Sequence, residues 1–234
     1  MVVPSAPGDR AAVATTEVFC GLGEGALDDV MAASTARTLA RGTHLFDQEE
    51  PASAFFVLLS GRVKVSQLTP EGKEVVVRFL GPGDVAGCAA VLGDSVYPAT
   101  AEVIEDVRAL AFDGRATTAL MERHPRIATN AMRVLGARLR EAQARCRELA
   151  TERVERRIAR AVVRLARQAG RRVEAGVTID LPLSRQDLAE MSGTTLFTVS
   201  RTMSEWERRG IVALGREKVV VTDPRALVGI AEEP

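Results

Sequence analysis

Between Arg41 and Phe112 the chain alternates short apolar runs with turn residues. HLF at 44–46, FFVLLSGRVKV at 55–65, VVVRFL at 75–80 and ATAEVIEDVRALAF at 99–112 are separated by punctuation such as TPEGKE and GPGD. β-Branched and aromatic runs broken by Gly and Pro at this spacing predict an antiparallel sandwich or roll. Such a roll either packs its interior solid or encloses a ligand, and the pattern allows both. Ahead of it, Thr15–Thr38 reads as short helical segments anchored by Leu22, Leu27 and Val30.

After Phe112 the apolar period lengthens from that of a strand to that of a helix. Thr117–Arg123 predicts a short helix. His124-Pro125 opens a long one, with Pro in the first turn, where its missing N–H is no loss. Along it Ala128, Met132, Leu135, Leu139, Ala142, Cys146 and Leu149 recur at alternating spacings of four and three. That is the seam of a coiled coil, with Arg133, Arg138, Arg140, Glu141, Arg145, Arg147 and Glu148 on the other faces. A helix packed on its own domain usually carries a broader stripe, so the seam predicts a parallel homodimer. Thr151 is the expected N-cap of a further helix, Glu152–Arg167, that Gly170 ends. A short strand is expected over Val177–Leu181.

The segment SRQDLAEMSG starts with Ser184 and Asp187 at capping-box spacing and stops at Gly193. A second helical segment, Thr194–Gly210, again stops at glycine. Two short helices joined at a glycine form the helix-turn-helix pattern, with Ala189 at the crossing and Val199 in the shared core. Two apolar runs around Gly215-Arg216 follow as a hairpin, the expected wing. Thr194 and Thr195 would direct N–H groups and hydroxyls at phosphates. Thr198, Ser200 and Arg201 fall in the first two turns, the part of a recognition helix that reaches base edges, and Arg201 suits a bidentate guanine contact. Ser184, Arg185 and the wing's Arg216 are candidate backbone contacts or solvated groups.

Composition and charge then exclude several classes. The 234 residues are 46% hydrophobic and 26% charged, with mean hydropathy +0.03. No run reaches the roughly 18 apolar residues of a membrane span, and residues 1–14 have no basic stretch leading into an apolar core. The expected setting is cytoplasmic, with no membrane partner. Cys20, Cys88 and Cys146 are too widely spaced for a disulfide framework or a zinc site. Two histidines and no nucleophile–base set argue against an enzyme. The net charge of zero hides an asymmetry: 8 Lys+Arg against 16 Asp+Glu through Gly114, then 23 against 15. Only the rear half suits a polyanion.

From about Phe19 to Leu227, the stretches FFVLLSGRVKV, GPGDVAG, YPATAEV, the seam helix and SRQDLAEMSGTTLFTVSR resemble the cyclic-AMP receptor/fumarate-nitrate regulator (Crp/Fnr) superfamily of transcription regulators. The resemblance implies an α+β chain. A cyclic-nucleotide-binding-like antiparallel β-roll would span residues 15–123 as the sensor, a dimerisation helix 124–150, and a winged helix-turn-helix 151–234. It implies a palindromic operator in double-stranded DNA and RNA polymerase as a partner. Gly87, Cys88, Tyr97, Pro98, Ala99 and Thr100 become the effector-pocket candidates.

The departures matter equally. Where a cyclic-AMP-binding member is expected to hold a Gly-Glu pair for the ribose and an Arg-Ser pair for the phosphate, this chain has Gly87-Cys88 and Pro98-Ala99. Cyclic AMP is therefore not the expected effector. Only Cys20 stands near the N-terminus, so no iron–sulfur cluster is expected. The family's Glu-x-x-Ser-Arg becomes Phe197-x-x-Ser200-Arg201, which replaces a cytosine-reading carboxylate by a ring that can touch a thymine methyl. Glu49 stands where the family commonly has a turn glycine. The run GTTLFTVSRTMSEWERRGIV is most similar to nitrogen-oxide-responsive members, some thought to hold haem, which makes His44 and His124 axial-ligand candidates or simply structural residues. Cys88 and Cys146 read as redox-sensitive or inert. The effector readings are haem with nitric oxide, a redox signal, or none. A rival reading, a nucleotide-binding-like module controlling a protein partner, leaves residues 184–210 without a purpose.

Overall fold

The computed structural model describes residues 2–3, 7–91, 96–215 and 218–232. Two compact units, Met1–Arg140 and Glu141–Pro234, make up the chain. They divide inside the long helix, whereas the sequence reading sets 124–150 apart and starts the second domain at 151.

The first unit holds β1 (Val2–Val3), α1 (Pro7–Thr15), α2 (Glu24–Ala32), β2 (Ser34–Leu39), β3 (His44–Phe46), β4 (Ala54–Leu68), β5 (Glu74–Leu80), β6 (Val85–Ala86), a 3-10 turn at Cys88–Val91, β7 (Thr100–Asp113) and α3 (Gly114–Arg123). It also contains the start of α4 (Pro125–Thr151). The strands form one antiparallel sheet in the order β1-β2-β7-β4-β5, with β3 on β7 and β6 on β4. The long β4 and β7 pair from Ala54↔Asp113 to Ser66↔Thr100, with their register shifting around Ser60–Val63. Gly61 sits in that irregularity at φ 81°, and a Cβ there would run into the Asp106 carbonyl.

The continuous FFVLL run of β4 has a simple cause: both faces of the strand are covered here. Phe56 and Leu58 point into the roll with Val63, Leu80, Val103 and Ala109. Phe55 and Val57 point the other way and pack with Phe19, Leu27, Phe112, Leu120 and Ile127. Strands buried on both sides lose the apolar–polar alternation. The rings of Phe19, Phe55 and Phe112 meet at centroid distances of 4.8–6.2 Å.

Two parts of the sequence reading change. Ser34–Leu39, placed by sequence inside a helical stretch, is β2 instead, paired with β7 from Ser34↔Phe112 to Leu39↔Val107. Its STARTL sequence has little apolar face of its own, so pairing decides its state. α1 begins at Pro7, ahead of the sensor start expected at residue 15.

The second unit continues with α5 (Val154–Ala169), β8 (Gly170–Val173), β9 (Gly176–Ile179), α6 (Arg185–Ser192), α7 (Leu196–Arg208), β10 (Val212–Gly215), β11 (Lys218–Val221) and α8 (Pro224–Glu232). Its sheet is antiparallel in the order β10-β11-β9-β8. Ile158, Val162, Leu165, Leu188, Val199, Met203, Trp206 and Leu227 are buried. Thr151 is not the N-cap of α5. It is the last residue of α4, where its hydroxyl donates to the Arg147 carbonyl at 2.9 Å; Arg153 takes the cap position without a side-chain bond. No helix among the described residues is long and apolar enough to cross a membrane.

Candidate nucleic-acid interface and effector cavity

Local hydrogen bonds fix the ends of the helix-turn-helix. Ser184 Oγ accepts from the Asp187 N–H at 3.0 Å, and the Asp187 carboxylate accepts from the Ser184 N–H at 2.8 Å, a complete capping box on α6. Ser184 thus spends its hydroxyl inside the fold, while Arg185 beside it is exposed. α6 ends at Gly193, φ 60°, against which the Leu149 side chain packs so closely that a Cβ would lie 2.7 Å from it. The carbonyls left over at this turn find cationic donors that sequence reading missed. Arg157 donates to Ser192 and Gly193 at 2.9 and 3.2 Å, and Arg145 donates to Met191 at 3.3 Å.

Thr195 caps α7, its Oγ1 accepting from the Thr198 N–H at 3.2 Å. Val199, Met203 and Trp206 recur at helical spacing and turn one face inward, and the Trp206 indole donates to Glu155 at 3.0 Å. The face opposite therefore points out. Phe197 is 74% and Leu196 48% exposed; Arg201 is exposed, and Ser200 half-buried. Arg201 has no ion pair or hydrogen bond of its side chain among the described residues. Thr194, Thr195, Phe197, Thr198, Ser200 and Arg201 are thus gathered at the start and outer arc of one helix. Glu207 accepts from the Leu214 N–H at 2.9 Å and ties α7 to the β10–β11 hairpin. Arg216 lies outside the described residues. The free N–H groups and dipole of the α7 start favour an anion, which suits a phosphate backbone.

The predicted seam is largely uncovered. In the first unit Met132, Leu135 and Leu139 are 70, 41 and 60% exposed, and Ala128 is half-buried. In the second unit Ala142, Cys146 and Leu149 are exposed. The buried side of α4 in the first unit is instead Ile127, Asn130 and Val134; the Asn130 amide donates to the Val18 and Cys20 carbonyls.

Five of the six effector-pocket candidates meet at one cavity of about 350 Å³, which Gly87, Cys88, Tyr97, Pro98 and Ala99 line. Tyr97 stacks on Phe46 at 4.0 Å, and its hydroxyl donates to the Ala54 carbonyl at 2.6 Å. Thr100 does not line it; its hydroxyl accepts from the Gln48 N–H. Sequence reading also missed the cavity's charge: Arg78 from β5 and Arg138 from α4 both line it, with Asp84 3.9 Å from Arg138. Burial pushes the Cys88 thiol up, against the pull of Arg138 and Arg78, so it stays protonated at neutral pH. Both histidines have carboxylate partners away from this cavity: His44 with Asp47, and His124 with Asp29 at 2.8 Å. His124 and Arg123 hold the Asp29 carboxyl below its usual range. Among the described residues no three His, Cys, Asp or Glu side chains cluster to hold a metal ion. Glu49 has φ 67°, the one non-glycine in the left-handed region among the described residues.

Known proteins share this architecture. Residues 36–124 match the model of the cyclic nucleotide-binding domain, and residues 156–230 that of the Crp-like helix-turn-helix domain. The cyclic AMP receptor protein of Thermus thermophilus is 30% identical over 214 residues, which cover 92% of this chain and 96% of that protein. The CRP-like cAMP-activated global transcriptional regulator of Mycobacterium tuberculosis is 26% identical over 187 residues, 80% of this chain and 84% of the relative. Among solved structures, FixK2 from Bradyrhizobium japonicum has the same fold, with a TM-score of 0.75 at 23% identity over 86% of this chain and 98% of that one. With its β-roll, its capped helix-turn-helix and a relative at this identity over nearly its whole length, the chain belongs to the Crp/Fnr family of DNA-binding transcription regulators.

Proposed function

We propose that this regulator acts as a homodimer on an inverted-repeat operator, and that its cavity answers to something other than cyclic AMP. The observation that carries the dimer is the bare stripe on α4. Met132, Leu135 and Leu139 expose large apolar side chains in register on one helix face, where a second copy of the same stripe is the natural complement. Each such side chain, once covered, contributes about 1–2 kcal/mol of apolar burial. A Leu135→Glu, Leu139→Glu double substitution would put like charges on both sides of the seam. Both leucines are exposed in the single chain, so the variant should still fold. Sedimentation should give a dimer for the wild type and a monomer for the variant; a fully dimeric variant would place the contact elsewhere.

The chemistry of the cavity argues against cyclic AMP. Its polar groups are the Arg78 and Arg138 guanidiniums, the Cys88 thiol and a Tyr97 hydroxyl already engaged at Ala54. A phosphate would meet positive charge, but among the described residues no carboxylate lines the cavity to accept from ribose hydroxyls. Titration calorimetry with cyclic AMP should show no micromolar binding, and such binding would overturn this reading. Haem, and with it the nitrogen-oxide response, would have to be held through the second ring nitrogen of His44 or His124, each of which pairs with a carboxylate through its first and lies away from this cavity. A redox signal through Cys88 would have to work with a thiol that burial keeps protonated. Once on its operator, the dimer would meet RNA polymerase as its protein partner.

A further inference from the structure

The first turn of α7 offers bases almost nothing to hydrogen-bond. Its sequence is Leu196-Phe197-Thr198-Val199. Val199 is buried in the shared core, and the Thr198 hydroxyl lies 3.0 Å from that of the capping Thr195. What projects outward is hydrocarbon, in Leu196 and in Phe197, the most exposed of the large apolar residues described.

Successive residues of a helix turn by about 100°. Measured that way, Phe197 and Arg201 lie about 40° apart at the middle of the outward arc, opposite Val199, Met203 and Trp206, with Ser200 and Thr198 at its edges. Leu196 falls on the side of Met203 and is exposed because it opens the first turn. Phe197 and Arg201, four apart, stand one above the other on this arc. Two adjacent, exposed apolar side chains are costly in water, and their neighbours Thr195 and Arg201 suit a nucleic acid rather than an apolar protein surface. In the major groove the one apolar group that projects from a base edge is the C5-methyl of thymine, where cytosine presents only a C5–H.

We propose that Phe197, flanked by Leu196, reads thymine methyl groups, so that each half-site carries a required thymine beside the base pair read by Arg201. This rests on the operator-binding reading above and adds the chemistry of one of its positions. A residue pair of this kind discriminates without hydrogen bonds, and it distinguishes thymine from uracil, which differ by that methyl alone.

The test starts by selecting duplexes from a randomised pool with the full-length protein at one fixed salt concentration. Thymine should be enriched at a symmetric position in both half-sites. Replacing it by deoxyuridine should weaken binding about fourfold per methyl, the equivalent of one buried methyl group, and so about 16-fold for the two half-sites together. Phe197→Ala should bring thymine and uracil to equal affinity. Since the ring is exposed, that variant keeps its core. Arg201→Ala should keep the thymine–uracil gap and lose its own base preference. Absence of thymine enrichment, indifference to uracil, or a gap that survives Phe197→Ala would each overturn the proposal while leaving DNA binding intact. A pool from which nothing is selected would overturn the operator reading itself, and this inference with it.

Discussion

At Glu49 the backbone adopts φ 67°, in which a Cβ crowds the following carbonyl and glycine alone is unpenalised. The conformation is imposed by neighbours: the Glu49 N–H donates to the Tyr97 carbonyl at 2.9 Å, and the Tyr97 N–H donates back to Glu50 at 2.9 Å. The side chain itself is exposed, so little is sacrificed when it is removed. Glu49→Gly should therefore stabilise the protein, by about 0.5–1 kcal/mol once glycine's greater unfolded-state entropy is set against the relieved strain. Urea unfolding should show a higher midpoint at unchanged slope. A lower midpoint would mean that the Glu49 side chain makes an interaction worth more than the strain. The same position illustrates how a single residue type can be read correctly as unusual. Its departure from the family's turn glycine is visible in the sequence, and the left-handed φ supplies the physical reason that glycine suits the position.

Elements are legible in proportion to how much of their stability is local. α6 and α7 carry their own signals in Ser184, Asp187, Gly193 and Thr195, and the structure uses these residues as caps and turn. The α4 stripe is legible because three-and-four spacing survives in any helix. β2 is not, because Ser34–Leu39 owes its state to β7, which lies more than 60 residues further along the chain. α8 escapes sequence reading as well, although Asp223 accepts from the Arg225 and Ala226 N–H groups at 3.0 Å, just ahead of Pro224 in the helix's first turn. The cavity is half legible. Its loop residues follow from the resemblance, but Arg78 and Arg138 come from a strand and a helix 60 residues apart, and no spacing in the chain joins them. The turn of the helix-turn-helix shows the same limit: Gly193 announces itself, whereas the Leu149 side chain that packs on it and the Arg157 guanidinium that satisfies its carbonyl do not.

For the whole molecule, the charge distribution and the proposed two-fold dimer together constrain how DNA is engaged. Residues through Gly114 carry twice as many acidic as basic side chains, and the remainder carries the compensating excess of arginine. A polyanion is thus repelled by the front of the chain and attracted by its rear, which contains α6 and α7. In a two-fold dimer the two α7 helices would enter successive major grooves on one face of the duplex, with half-sites about 34 Å or 10 base pairs apart. The spacing between half-sites then becomes a test of the assembly. Inserting 5 base pairs at the centre of a selected operator turns one half-site to about the opposite face, where a dimer of fixed geometry cannot reach both. Affinity should fall to that of an isolated half-site. The salt dependence should fall with it, because every phosphate that the protein no longer neutralises takes about 0.9 units from the slope of log K against log salt concentration. Binding measured at several salt concentrations on the intact, the expanded and the single half-site duplexes would separate these effects. Equal affinity and equal slope on the intact and expanded operators would mean that the two helix-turn-helix units engage DNA independently, and the fixed two-fold dimer would have to be abandoned.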